Sequence, residues 1–201
     1  ELGKQNLNIL QYWLKIGDDD QGKGYIASVN KYLERELKEE NLDILEDFLQ
    51  LCIESGWSVV GVETGKLISE ASEALLGLGH IKTLIFLGNL AELYKNNGIY
   101  DESEKLFNKV LKLQKNLLGE DNVNTLGTTI NLGELYNNTG DYIQAKNLLK
   151  STSEICKKTL GENHIYTLMA MHNLAVAFDN LDKPEKAEII NSKILETRKN
   201  L

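Results

Sequence analysis

Apolar residues recur along this chain at spacings of three and four. Leu87, Leu90, Leu93 and Tyr94 fall on one helical face, as do Leu132, Leu135 and Tyr136, and then Met171, Leu174, Ala177 and Phe178. Behind each of these stretches comes a second: Leu106, Phe107, Val110 and Leu113; Leu148, Leu149, Thr152 and Ile155; Ile189, Ile190, Ile194 and Leu195. The pattern predicts pairs of amphipathic helices, each with one face in a core.

The pairs repeat. Leu118-Gly119-Glu120 returns as Leu160-Gly161-Glu162, 42 positions on, and the same offset carries Thr125-Leu126 onto Thr167-Leu168 and Asn131-Leu132 onto Asn173-Leu174. One period earlier it reaches Leu76-Gly77, Thr83-Leu84 and Asn89-Leu90. A fixed register over three copies is the signature of a stacked repeat architecture. Glycine punctuates it. Gly77, Gly119 and Gly161 stand where a helix should end in the left-handed conformation, with a second stop at Gly98 and Gly140 and at Asp182, a less comfortable equivalent. Gly79, Asp121 and Asn163 follow the first stop and read as N-caps of the next helix, and Pro184 suits a first turn.

Small residues recur where paired helices should cross: Ala91, Gly133 and Ala175 on the first helix, and Ser103, Ala145 and Ala187 on the second. A small side chain at a crossing lets two helix axes approach closely. In order, Leu87, Leu90, Ala91, Tyr94, Gly98, Tyr100 and Ser103 resemble the pattern of a tetratricopeptide repeat. The longer period, with "LGENHIYTL" and "NLA", is similar to the repeats of kinesin light chains. The likeness covers residues 77 to 201. It implies an all-α fold, a right-handed superhelical solenoid of antiparallel helix pairs, with about ten helices in this chain.

Upstream the pattern fades. Gly56 lies one period before Gly98, and Phe48, Leu51 and Cys52 suit the apolar stripe of another first helix. Leu49 holds the small-residue position there, so that pair is expected to splay. "LNILQYWLKIG" and "YIASVNKYLEREL" read as two more helices joined by "DDDQGKG". The expected organisation is therefore a degenerate N-terminal helical hairpin, or cap, over 1–40, and tetratricopeptide-like repeats over 41–201, divided as 41–82, 83–124, 125–166 and 167–201.

Composition narrows the function. A formal charge of −8 argues against nucleic acid as a partner, because phosphate binding draws on clustered Lys and Arg. Two cysteines, Cys52 and Cys156, form no C-x-x-C pair and fit a reducing, cytoplasmic setting. No stretch suits a membrane span or a leader peptide. The chain begins at Glu1 rather than Met, as an excerpt of a longer protein would.

Chemistry is sparse. His80 and His164 share one repeat position, so duplication explains them better than catalysis, and His172 has no Cys or carboxylate at metal-ligand spacing. Asp18 to Asp20 lack the Gly and terminal Glu of a calcium loop. "LGLGH" at Leu76 lacks the Lys and Ser/Thr of a phosphate loop. No catalytic residue, metal or cofactor is expected, and the chain reads as a non-enzyme.

What remains is a surface. Resemblance to the repeat family implies a concave groove lined by the first helices. It places there Ile85, Gly88, Asn89, Glu92 and Asn96; Gly127, Ile130, Asn131, Glu134 and Asn138; and Met169, His172, Asn173, Val176 and Asn180. Asn89, Asn131 and Asn173 would form a ladder of amides able to hold an extended main chain. The competing reading has these amides bonded to their own neighbours. With Glu92 and Glu134 on that face and only Lys95 basic, a clamp for acidic tails is not expected, and a neutral or basic protein or peptide segment fits better. The expected role is a protein–protein interaction module, a scaffold or adaptor. The alternative is an accessory domain of a larger enzyme or signalling receptor. A third expectation is homotypic contact through the last helix.

Overall fold

The computed structural model describes residues 42–56 and 58–199. Among them are eight helices and no strand: α1 (Leu42–Ser55), α2 (Ser58–Leu76), α3 (Ile81–Asn96), α4 (Tyr100–Leu118), α5 (Val123–Thr139), α6 (Tyr142–Thr159), α7 (Ile165–Asn180) and α8 (Pro184–Lys199). The two helices expected within residues 1–40 lie outside the described residues. The chain divides into two compact units, with the boundary between Leu106 and Phe107, within α4.

The stops fall where the repeat puts them. Gly77, Gly119 and Gly161 have φ of 85°, 92° and 95°, in the region where only glycine escapes a Cβ penalty. α3 and α7 close alike: the Ile99 amide donates to the Tyr94 carbonyl at 2.9 Å and the Lys183 amide to that of Phe178 at 3.0 Å. The left-handed residue is Gly98 in the first case and Asp182, at φ 53°, in the second. Pro184 opens α8, where its missing N–H costs nothing.

The starts differ from expectation by one residue. The N-caps are His80, Asn122 and His164, not Gly79, Asp121 and Asn163. Each side chain accepts from the amide two residues on: Lys82 to His80 Nδ1 at 3.2 Å, Asn124 to Asn122 Oδ1 at 3.0 Å, and Tyr166 to His164 Nδ1 at 3.1 Å. An imidazole nitrogen thus stands in for the cap oxygen, satisfying a backbone donor that the helix leaves open.

In the first unit α1 and α2 both pack on α3. Leu42, Leu45, Phe48, Leu49, Cys52, Val60, Ile68, Phe86 and Leu93 form one core, with Phe48 and Phe86 fully buried. Leu49 does not force α1 and α2 apart, because α2 answers with glycine. A Cβ on Gly65 would touch Leu49 Cδ2 at 3.6 Å, and one on Gly61 would lie 3.0 Å from Cys52 Cβ and 2.7 Å from Leu93 Cδ2. Gly61 sits one period before Ser103, so the crossing keeps its close approach by moving the missing bulk to the partner helix. In the next copy Ser103 Oγ donates to the Ala91 carbonyl at 2.7 Å, both residues fully buried.

In the second unit α5 and α6 pair, α7 packs on both, and α8 packs on α7. Gly133, Ala145, Ala175 and Ala187 are all buried. Leu149, Leu174 and Ala177 fill the space between, with Tyr136, Phe178 and Ile190 against them. Two residues assigned to the core by spacing are not in it: Ile189 is 70% exposed and Leu195 55%. Ile189 shares its register with Lys105 and Asn147, which are exposed too. Leu195 shares its register with Leu111 and Ser153, buried where another pair follows, and among the described residues none follows α8.

Burial pushes the Cys52 thiol from 9.0 up to about 12 and that of Cys156 up to about 11. The folded values lie above the unfolded one, so this contribution to stability is intact below pH 9 and lost as pH climbs through 11 and 12. Denaturant midpoints should fall between pH 8.5 and 11, and the Cys52→Ala/Cys156→Ala variant should fall less steeply. Both thiols should react with a disulfide reagent at pH 8 at least about tenfold more slowly than a free thiol, because only the thiolate is nucleophilic.

Candidate functional site

The first helices of the second unit carry little charge. Glu134 is the one charged side chain of α5 and Asp179 the one of α7. α5 packs directly on α7, which brings two rows of the expected groove residues side by side. On α5, Asn131 and Glu134 are half-buried and Asn138 is exposed; on α7, His172 and Asn180 are exposed and Asn173 is 9% exposed. In the first unit Asn89 and Glu92 are half-buried and Asn96 is exposed on α3. Asn131, Glu92 and Glu134 each engage other groups in the structure.

Two residues of the set that the family resemblance implies are buried, Asn173 and Ile130. Ile130, assigned to the groove, is fully buried against Leu126, Cys156 and Ala170 and belongs to the core. Beyond Leu126 of its own helix its neighbours come from α6 and α7, so its burial is decided by the stacking of one pair on the next.

A residue that spacing did not single out ties the two rows together. Asn137 is 9% exposed, and its Nδ2 donates to the Asn173 carbonyl at 2.9 Å, from α5 to α7. Its Oδ1 is buried without a partner. The register positions of Asn137 in the other copies are Lys95 and Asp179, so the repeat offered no signal for it. Asn180 Nδ2 bonds within its own helix, to the Val176 carbonyl at 2.9 Å, as the competing reading of these amides has it. Over Gly127 the Tyr166 ring takes the space of an absent side chain: a Cβ there would lie 3.2 Å from it.

Lys95, the basic residue of the expected groove in the first unit, is 4% exposed and holds a partner. Its ammonium is therefore not presented on an open face. Among the described residues no group of three or more His, Cys, Asp or Glu could hold a metal ion, and no helix is long and apolar enough to cross a membrane. His80 and His164 are occupied as helix caps.

The geometry has solved counterparts. A putative kinesin light chain of Podosopora anserina with nearly identical TPR-like repeats is 20% identical, with a TM-score of 0.72 over 97% of this chain and 94% of that one. A Rap protein complexed with competence and sporulation factor is 12% identical, TM-score 0.71, over 96% of this chain and 52% of that one. NprR, in complex with its cognate peptide NprX, is 17% identical, TM-score 0.50, over 99% and 68%. No curated protein sequence matches the chain. The tetratricopeptide repeat model matches residues 82–150 and again 125–200. Together these span more than half of the sequence, so the chain belongs to the tetratricopeptide repeat family.

Proposed function

We propose that the chain is a non-catalytic protein-interaction module that holds a peptide or helix of a partner along the first helices of its repeats, within a right-handed superhelix capped by residues 1–40. The observation that carries this reading is the weakly charged first helices α5 and α7 packed together, with Asn138 exposed and Asn131 half-buried on α5 and Asn180 exposed on α7. Amides offer donors and acceptors to a main chain without demanding a particular side chain. Asn89, Glu92 and Asn96 occupy the same register on α3. A neutral or basic segment suits the surface, because Glu134 and Asp179 are the charged side chains of α5 and α7 and an acidic segment would find no exposed cation on either helix. The peptide complex of NprR, on a similar fold, supports the same class of ligand.

A second reading is an accessory domain of a larger enzyme or signalling receptor. The chain spans about half of the Rap protein it matches and 94% of the kinesin light chain structure.

The test uses a segment captured by the wild-type chain and titrated into variants. Asn131→Ala and Asn138→Ala should each weaken binding by about 0.5–1.5 kcal/mol per hydrogen bond lost. The exposed Asn138 should do so at unchanged melting temperature. Glu134→Lys should slow association of a basic segment and reverse its salt dependence. Wild-type binding by all three variants, together with loss on altering α6 or α8, would move the function off the first helices.

A further inference from the structure

The exposed faces of α6 and α8 differ in charge along one register, Lys146 standing where Glu188 does and Lys150 where Ser192 does, while Lys157 and Lys199 are alike and so are Glu154 and Glu196. On α6 the lysines Lys146, Lys150 and Lys157 fall within a narrow arc of the helix, with Ile143, 59% exposed, at its edge. One period later, Lys146 becomes Glu188, Lys150 becomes Ser192 and Ile143 becomes Glu185. On α8 these residues, with Ile189, Lys193 and Glu196, form one open face. Lys193 is spent there, paired with Glu162 at 2.9 Å. Lys186 is turned aside, its ammonium 5.6 Å from the Phe178 ring centre. This face therefore presents Glu185, Glu188 and Glu196 around an isoleucine that is 70% exposed, with Lys199 in the last turn, and α6 presents Lys146, Lys150 and Lys157 beside an isoleucine, with Glu154 among them.

We propose that these two faces form one self-complementary surface, and that its occupant is a second copy of this chain. The lysines of α6 in one copy meet the carboxylates of α8 in the other, with Ile143 and Ile189 as the apolar centres of the contact. Both faces lie in the second unit, so the contact can be made twice about a two-fold axis: α6 on α8 and α8 on α6. Charge pairs at such a rim steer and register the encounter and are weakened by salt, so the dimer is favoured at low ionic strength. This surface is separate from the amide rows, and a peptide and a second copy can be held at once.

The experiment is sedimentation equilibrium of the 201-residue chain at low and at high salt. The expected result is a dimer that dissociates about tenfold more readily in high salt. Lys150→Glu alone and Glu188→Lys alone should each weaken it by about tenfold or more while leaving the melting temperature of the dilute, monomeric chain unchanged, since both residues are exposed. Mixing the two variants should restore it. In the mixed dimer one contact is native and the other has its charges exchanged, and both attract. A chain that stays monomeric at low salt overturns the proposal, and so does a dimer indifferent to both reversals or a mixture that remains monomeric. Binding of an acidic peptide by the monomer at Lys150 would assign the α6 face to a different partner.

Discussion

Leu149→Ala lowers the stability of the repeat array by about 2–5 kcal/mol, and in that background Gly133→Ala, damaging on its own, becomes stabilising. Leu149 is fully buried among Ala145, Leu174 and Ala177. Truncating it removes its transfer free energy and leaves a cavity that a helix crossing cannot close. Gly133 lies directly under it: a Cβ there would sit 2.6 Å from Leu149 Cγ. Gly133→Ala alone gains up to about 1 kcal/mol of helix propensity and loses about 1–3 kcal/mol to overpacking, so it destabilises. With Leu149 cut back the clash is gone, the new methyl occupies part of the void, and the propensity gain remains. Urea unfolding of the two single variants and the double gives the coupling directly. Additive effects would mean that the two residues do not share the crossing.

The largest loss expected in the first unit comes from Phe86→Ala, about 3–5 kcal/mol. Phe86 is completely buried in the core that joins α1, α2 and α3, beside Phe48, Leu49 and Ile68. Its register mates, Thr128 and Ala170, are small, so the first unit depends on this one ring for volume that the later copies obtain elsewhere. Phe86→Leu should retain most of the stability, at a cost of about 1.5 kcal/mol or less. Chemical unfolding followed by circular dichroism separates the two. A Phe86→Ala variant that melts like wild type would place the ring outside the core.

The glycine stops were legible because the left-handed conformation admits so few residue types, and even the exception at Asp182 shows the same φ sign. The helix starts were legible only to within a residue. Asp121-Asn122 and Asn163-His164 each offer two adjacent side chains able to cap, and the choice depends on where helical dihedrals begin, at Val123 and Ile165. Gly61 and Gly65 were hidden because glycine inside a helix reads as a weakness until Leu49, one helix away, is set against it. Ile189 and Leu195 satisfied helical spacing, but spacing shows which residues share a face and not whether anything covers it. Of the amide rows, the positions on α5 and α7 follow from the period. The Asn137 link to Asn173 does not, since it joins residues of different copies through a backbone carbonyl.

The capping bonds of His80 and His164 also select a tautomer. A ring that accepts at Nδ1 carries its proton on Nε2, so each of these imidazoles turns an N–H donor away from the helix it caps. Asn122, accepting at Oδ1, likewise keeps an N–H donor on its other side. Copies that differ in ring and amide are alike in polarity: a lone pair towards the helix and a proton away from it.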